Sequence, residues 1–225
     1  MLFIDPNGEE IWLSYTQKDE DGNETTTKYQ YRDNKLFNEN GDEYDGKDEG
    51  DPGFKLVRDQ LNSLKGVSEE YNGIISFLEG GDSDTHTIAI SSKPSEENSN
   101  SFTNPKLAMF GIDNSTTTNY NPTDWTDPSS KNELRDPRIG LIHELRHSFD
   151  KNNSSYQPIA AGMDANGASK PISVWEANAV NTENILRRQL NSNTKDLVTG
   201  KVIPSNNFIR KTYNGVKIPS SYLTN

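Results

Sequence analysis

The chain contains no cysteine and only three histidines among its 225 residues. Without cysteine it can form no disulfide bond and offers a metal no thiolate, so a metal site would have to use imidazole or carboxylate groups. The chain also lacks an apolar run of about 18 residues, which argues against a transmembrane helix. Its first ten residues, MLFIDPNGEE, lack the basic and apolar regions of a signal peptide, so we expect none here.

Hydrophobic residues are scarce, at 30%, and the charge is unevenly distributed. The net charge is -11, and residues 1–52 carry 15 acidic and five basic side chains, whereas the remainder carries 19 and 18. A strongly negative protein repels phosphate backbones and anionic lipid surfaces. We therefore expect neither a nucleic acid nor a membrane as a partner.

The motif HELRH, residues 143–147, contains two of the three histidines. Residues at positions i and i+4 share one face of a helix, so His143 and His147 can direct two imidazoles at one metal ion. Glu144 is then suited to act as general base on a metal-bound water. Asp136 and Pro137 predict that the helix begins there, as N-cap and first helical residue. The alternative is a solvated helix with two incidental histidines.

Residue patterns outside the motif predict an α+β protein with two parts. An acidic, β-rich segment with a linker is expected at 1–50, and a catalytic domain at 51–225. The catalytic domain should combine helices with a small β-sheet over the HELRH helix. The predicted helices are 54–64, 71–78 and 174–190, the predicted strands are 85–91 and 107–112, and the expected irregular regions are 114–136, 151–170 and 191–225.

A catalytic zinc needs a third protein ligand besides the two histidines. The candidates are His86, Asp150, Asp164, Glu176 and Glu183. Glu176 lies at the start of the predicted helix 174–190, although Ser173 and Glu176 also match a capping box. Glu183 lies on the same face, and Arg187 could pair with it at i+4. Spacing alone leaves both glutamates open.

Four groups of residues resemble the NleD-type effector metallopeptidases, which occur as type III secretion effectors and as carboxy-terminal domains of Rhs/YD-repeat toxins. They are PRIGLIHELRHSFD at 137–150, Trp175-Glu176, Glu183-Asn184-x-x-Arg187 and Arg210-x-x-Tyr213. The resemblance implies a zincin-like, gluzincin-type fold in which a second helix supplies a ligand. It favours Glu176 as the third ligand of Zn²⁺.

A shorter resemblance lies at residues 3–8, FIDPNG, which is similar to the FIDPxG sequence that closes an Rhs repeat core. It implies that the chain is the toxin tip of a larger bacterial protein, secreted or delivered into a target cell. A cognate immunity protein is then a candidate partner. The alternative is an ordinary strand and turn.

These patterns together predict a zinc metalloendopeptidase that hydrolyses peptide bonds of a protein target. Tyr213 is the candidate donor to the oxyanion, with simple packing as its alternative. Glu183 and Arg187 are expected beneath the site, where they would orient a metal ligand. Two other functions stay open: a zinc amidase acting on a non-protein substrate, and a non-catalytic interaction module of an Rhs tip.

Overall fold

The computed structural model describes residues 10–46, 51–80, 84–91, 98–109, 113–127, 130–153, 159–189, 210–220 and 223. Within these ranges the chain mixes helices and strands, so the predicted α+β class is confirmed. It divides into two compact units, residues 1–123 and residues 124–225. No helix in the described ranges is both long and apolar enough to cross a membrane.

The first unit is built on a six-stranded mixed sheet. Its strands, in sheet order, are β3 (Lys35–Phe37), β2 (Glu24–Arg32), β1 (Glu10–Lys18), β4 (Thr85–Ile90), β6 (Thr116–Tyr120) and β5 (Ser99–Phe102). The helices are α1 (Phe54–Lys65), α2 (Glu69–Glu79) and the short α3 (Pro105–Ala108). Alternate residues of β1 and the apolar stripes of α1 and α2 are buried, which accounts for the core of this unit.

The place of β1 in this sheet does not agree with a domain boundary near residue 50. This strand lies between β2 and β4, and it pairs in parallel with β4 through registers such as Ile11 with His86 and Leu13 with Ile88. Ile11 and Leu13 are fully buried. Residues 10–37 therefore belong to the same compact unit as α1 and α2, and the structure divides after Thr123 instead. Residues 1–9, with the Rhs-like sequence, lie outside the described residues.

The prediction of a strand at 107–112 is wrong for the residues of that range that the structure describes. Leu107 and Ala108 belong to α3, which Asn104 caps by accepting a hydrogen bond from the Leu107 amide. Residues 110–112 lie outside the described ranges. Besides β1, the strand that pairs with β4 is β6, which lies in a stretch expected to be irregular. Its three consecutive threonines are β-branched and favour a strand, which a search for apolar residues overlooks.

In the second unit the described residues form two long helices and two small sheets. The helices are α4 (Pro137–Asn153) and α5 (Val174–Gln189), and α5 confirms the helix predicted at 174–190. The strands are β7 (Thr126–Asp127), β8 (Ser130–Leu134), β9 (Ile159–Met163), β10 (Ser169–Ser173), β11 (Thr212–Tyr213) and β12 (Val216–Lys217). The last four form a sheet in the order β10-β9-β12-β11, so parts of 151–170 and 191–225 are more regular than expected.

Glycine and asparagine permit the close contacts of this small sheet. Gly162 in β9 lies against β12, since a Cβ atom there would meet Val216 Cγ1 at 2.5 Å. The β11–β12 hairpin turns through Asn214 and Gly215, both with positive φ angles of 45° and 75°. Asn-Gly is the residue pair preferred in such two-residue turns. The hairpin therefore presents Tyr213 at a fixed place on the edge of the sheet.

Candidate metal centre

Helix α4 carries the HELRH motif and begins where the sequence predicts. The buried Asp136 carboxylate accepts a hydrogen bond from the Arg138 amide at 2.8 Å and pairs with the Arg138 guanidinium at 2.6 Å. This is the N-cap function expected of an aspartate that precedes Pro137. The helix is buried over much of its length, including both motif histidines and Glu144, so the solvated-helix alternative is wrong.

The two imidazoles converge on one point. His143 Nε2 and His147 Nε2 are 3.1 Å apart, and their rings are nearly perpendicular, with centroids separated by 4.7 Å. The nitrogen and oxygen atoms that His143, Glu144 and His147 could offer a metal all lie within 4.8 Å of one another. This buried His-Glu-His group could hold a metal ion.

Glu176 in the first turn of α5 faces both imidazoles. Its Oε2 atom lies 3.6 Å from His143 Nε2, and its Oε1 atom lies 3.4 Å from His147 Nε2. Oε2 is buried and has no hydrogen-bond partner within the described part of the chain. Ser173 Oγ accepts a hydrogen bond from the Trp175 amide. The carboxylate that a capping box would use locally is therefore directed at the histidines.

Burial by itself would raise the pKa of Glu176, but neighbouring groups reverse that effect. The hydrogen bond and charge of His147, the charge of His143 and a hydrogen bond from Tyr213 hold the pKa of Glu176 below its ordinary value. The carboxylate therefore stays ionised next to the imidazoles. An ionised carboxylate with a buried, unpaired oxygen is a suitable metal ligand.

Glu183 lies on the other side of His143 and is fully buried. Its Oε1 atom is 2.7 Å from His143 Nδ1, a hydrogen-bond distance, although the alignment at Nδ1 falls short of a well-directed bond. Burial would raise the pKa of Glu183, but His143, Arg210 and Arg187 hold it well below the usual range. An ionised Glu183 favours the proton on Nδ1, which leaves Nε2 facing His147 and Glu176.

Two arginines contact the Glu183 carboxylate. Arg187, one turn further along α5, lies 3.2 Å from Oε2, which is the predicted i, i+4 pair. Arg210 lies 2.9 Å from Oε1 and comes from a distant part of the sequence. Glu183 therefore contacts Arg187, Arg210 and His143. The sequence placed Arg210 in a motif with Tyr213 but gave no role for it.

Tyr213 reaches the site from the β11–β12 hairpin. Its ring is parallel to that of His143, with centroids 6.4 Å apart and an angle of 14° between the planes. Its hydroxyl is hydrogen bonded to Glu176. Burial and the Glu176 carboxylate raise the pKa of Tyr213 to about 12, so the phenol is protonated at neutral pH. The hydroxyl is therefore available as a hydrogen-bond donor.

The other candidate ligands have structural roles. His86 belongs to the first unit, where Nδ1 lies 2.9 Å from Thr116 Oγ1 and burial lowers its pKa to about 4. Asp150 accepts hydrogen bonds from Arg146 of α4 and from Asn178 of α5, so it connects the two helices. Asp164 accepts two backbone hydrogen bonds in the turn between β9 and β10.

Two further residues near the site were given no role in the sequence analysis, although Asn184 belongs to the Glu183-Asn184-x-x-Arg187 group. Lys151 follows His147 by one helical turn and is half-buried. Burial lowers the pKa of Lys151 to about 8, although the negative charges of Glu144 and Glu176 partly offset this by raising it. Its i+4 spacing from His147 was the signal that could have found it. Asn184 is fully buried and exchanges hydrogen bonds with the backbone of Arg210.

Comparison of the chain with protein-family models, with curated proteins and with solved structures gives no match. The chemistry of the site therefore rests on its own residues. Those residues are two imidazoles, a facing carboxylate, an adjacent glutamate and a tyrosine hydroxyl, all in the second unit.

Proposed function

We propose that this chain is a zinc-dependent metallopeptidase with a zincin-like, gluzincin-type site, in which His143, His147 and Glu176 hold the ion. The observation that carries the proposal is the convergence of their atoms: 3.1 Å between the two Nε2 atoms, and 3.4 and 3.6 Å from them to the Glu176 oxygens. Tetrahedral bonds of about 2.0–2.1 Å separate ligand atoms by about 3.3–3.4 Å. The spacing therefore suits one zinc ion.

The orphaned oxygen of Glu176 supports the same fit. A buried carboxylate oxygen that has no hydrogen-bond partner among the described residues is costly unless a cation or a water molecule satisfies it. The two Nε2 atoms face each other at 3.1 Å, and Glu183 favours the proton on Nδ1 of His143, so His143 Nε2 has a lone pair to offer. A zinc ion between these atoms would bind that lone pair and satisfy the Glu176 oxygen.

When bound, zinc lowers the pKa of a water molecule towards about 7 and polarises a carbonyl oxygen. Glu144, which is buried beside the two imidazoles, would accept the proton of the attacking water. The Tyr213 hydroxyl would donate a hydrogen bond to the carbonyl oxygen of the substrate as that oxygen gains negative charge. Glu183, with Arg187 and Arg210, fixes the orientation of His143.

The resemblance to NleD-type effectors supports a proposal about the biological role of the chain. Its motif residues Arg187 and Arg210 both contact Glu183, and its Tyr213 contacts Glu176, which gives each motif a part in one site. We therefore propose a toxin or effector domain of a larger bacterial protein, secreted or delivered into a target cell. Its substrate would be a protein, and a cognate immunity protein would be a partner.

The test is to replace Glu144 with glutamine, which cannot accept the proton. Purified wild-type protein with zinc should cleave casein or members of a peptide library, and Glu144→Gln should lower turnover about 100- to 10,000-fold. It should still bind one zinc, measured by native mass spectrometry. Glu69→Gln, an exposed glutamate of α2, is the matched control and should leave turnover unchanged.

Other outcomes would contradict the proposal in different ways. Hydrolysis of acetylated or other small amides, with peptides left intact, would indicate a zinc amidase. Zinc binding without any hydrolysis would indicate a non-catalytic interaction module. Near-normal turnover by Glu144→Gln would refute the role given to Glu144.

A further inference from the structure

We infer that Asn184 is a positioning residue: by clamping the backbone of Arg210 to helix α5, it holds the Arg210 guanidinium on Glu183 and the Tyr213 hydroxyl at Glu176. The inference rests on the proposed function for its catalytic consequence, but the clamp itself is a feature of the protein without metal. Asn184 is not one of the proposed zinc ligands, and it acts on the site through the backbone of Arg210.

The clamp is a two-way hydrogen bond with one residue. Asn184 Nδ2 donates to the Arg210 carbonyl oxygen at 2.9 Å, and the Arg210 amide donates to Asn184 Oδ1 at 2.8 Å. A primary amide offers a donor and an acceptor side by side, which neither aspartate nor an apolar side chain can do. Asn184 is fully buried, so loss of this pairing would leave backbone groups to be satisfied elsewhere.

The clamp also determines where the side chains of Arg210 and Tyr213 lie. With its backbone held on α5, Arg210 directs its guanidinium at Glu183 Oε1, 2.9 Å away, and covers the Tyr213 ring at 5.2 Å. Three residues later, Tyr213 lies parallel to His143 and bonds Glu176. Downstream, β12 pairs with β9 through Lys217 and Met163. Tyr213 is therefore held from both sides.

Release of the clamp should have two separate effects. Arg210 would lose its place on Glu183, and disturbance of a group that orients a metal ligand typically lowers metal affinity or activity about 10- to 100-fold. Tyr213 would lose its position as an oxyanion donor, and the loss of one such donor lowers kcat about 100- to 1,000-fold. KM should change little, because the donor acts on the transition state.

The experiment is a double-mutant cycle of Asn184→Ala with Tyr213→Phe in the zinc-loaded chain. We expect Asn184→Ala to lower kcat at least about tenfold on its own, and less than about threefold when Tyr213 is already phenylalanine. Asn181→Ala, another asparagine of α5, is the matched control and should leave kcat unchanged. Equal losses of kcat in both backgrounds would overturn the positioning role, because Asn184 would then act without Tyr213.

Two readouts do not need catalysis. Zinc affinity should fall about 10- to 100-fold in Asn184→Ala and in Arg210→Gln, and no further in the double variant. In the metal-free protein, proton NMR of the three imidazoles should show His143 signals shifted by Asn184→Ala and His86 signals unchanged. Unaltered His143 signals would overturn the clamp even if the chain hydrolyses peptides.

These readouts also separate the two proposals. A wild-type chain that hydrolyses nothing would refute the proposed function, whereas the imidazole signals would still test the clamp. If Asn184→Ala fails to fold, Arg210→Gln, which keeps the backbone pairing, tests the same link. Unchanged zinc affinity and unchanged His143 signals in that variant would overturn the inference.

Discussion

Replacing Glu176 and Glu183 separately with glutamine should rank the two variants in opposite orders for the stability of the metal-free protein and for zinc affinity. Both glutamates lie on α5, seven residues apart and on one face. Their surroundings differ sharply. Glu183 is fully buried among charged partners, whereas the Glu176 side chain is 21% exposed and has one oxygen without a hydrogen-bond partner among the described residues.

Metal-free stability should depend on Glu183. Its carboxylate contacts Arg187 at 3.2 Å, Arg210 at 2.9 Å and His143 at 2.7 Å, and glutamine removes the charge that all three contact. Removing one partner of a buried ion pair typically costs about 3–5 kcal/mol. Glu176→Gln should change the free energy of unfolding by no more than about 1 kcal/mol, because its amide oxygen can still accept the Tyr213 hydrogen bond.

Zinc affinity should depend more on Glu176. Structural zinc sites with four ligands bind with about 10–16 kcal/mol, so one ligand contributes about 3 kcal/mol, a loss of more than about 100-fold. Glu183→Gln should lose about 10- to 100-fold, the usual effect of removing a group that orients a ligand. The visible spectrum of the cobalt-substituted protein should change in Glu176→Gln and stay close to that of wild type in Glu183→Gln.

The assays are urea denaturation of the metal-free variants, competition titration with a zinc chelator, and the cobalt spectrum. The reasoning would be refuted if Glu183→Gln lost the metal and altered the cobalt spectrum while Glu176→Gln kept both. A Glu183→Gln variant as stable as wild type without metal would refute the charge argument separately.

Three further predictions concern the motif histidines, the buried His86 and the first strand. His143→Ala and His147→Ala should each abolish binding of the single zinc ion expected per chain, as measured by mass spectrometry after zinc reconstitution. Burial lowers the pKa of His86 in the folded protein to about 4, below its unfolded value of about 6.5. The free energy of unfolding should therefore be constant above pH 6.5, as far as His86 is concerned, and should fall by about 3 kcal/mol as the pH drops to 4. His86→Gln should flatten this pH dependence in urea denaturation. Removal of residues 1–50 should unfold the first unit, since it takes β1 out of the sheet; a truncated chain whose circular dichroism spectrum showed no loss of strand signal beyond that of the removed strands would contradict this.

The sequence was most informative where structure depends on neighbours along the chain. Helical spacing put His143 and His147 on one face, and Asp136 before Pro137 marked the start of α4. Glu176 and Glu183 were both identified, but helical spacing could not rank them. The difference between them is which histidine nitrogen each one faces, and that depends on how α5 packs on α4.

Pairings between distant parts of the chain could not be predicted. The parallel registry of β1 with β4 joins residues about 75 positions apart, so no local pattern marks it. Strand β6 was missed because two of its three buried positions are threonines, whose β-branched shape suits a strand although they are polar. In the same way, the contact of Arg210 with Glu183 joins residues separated by 27 positions.

The electrostatics around Glu183 explain why its motif and the Arg210–Tyr213 motif occur together. A carboxylate with no solvent exposure needs cationic partners to remain ionised, and Arg187 supplies one from the same helix. His143 takes a second position on that carboxylate and must keep Nε2 turned towards His147. Arg210 adds charge that holds Glu183 ionised, and the same residue brings Tyr213 to Glu176. One residue therefore connects the orientation of a proposed zinc ligand to the position of the proposed oxyanion donor, and a substitution at Arg210 should disturb both.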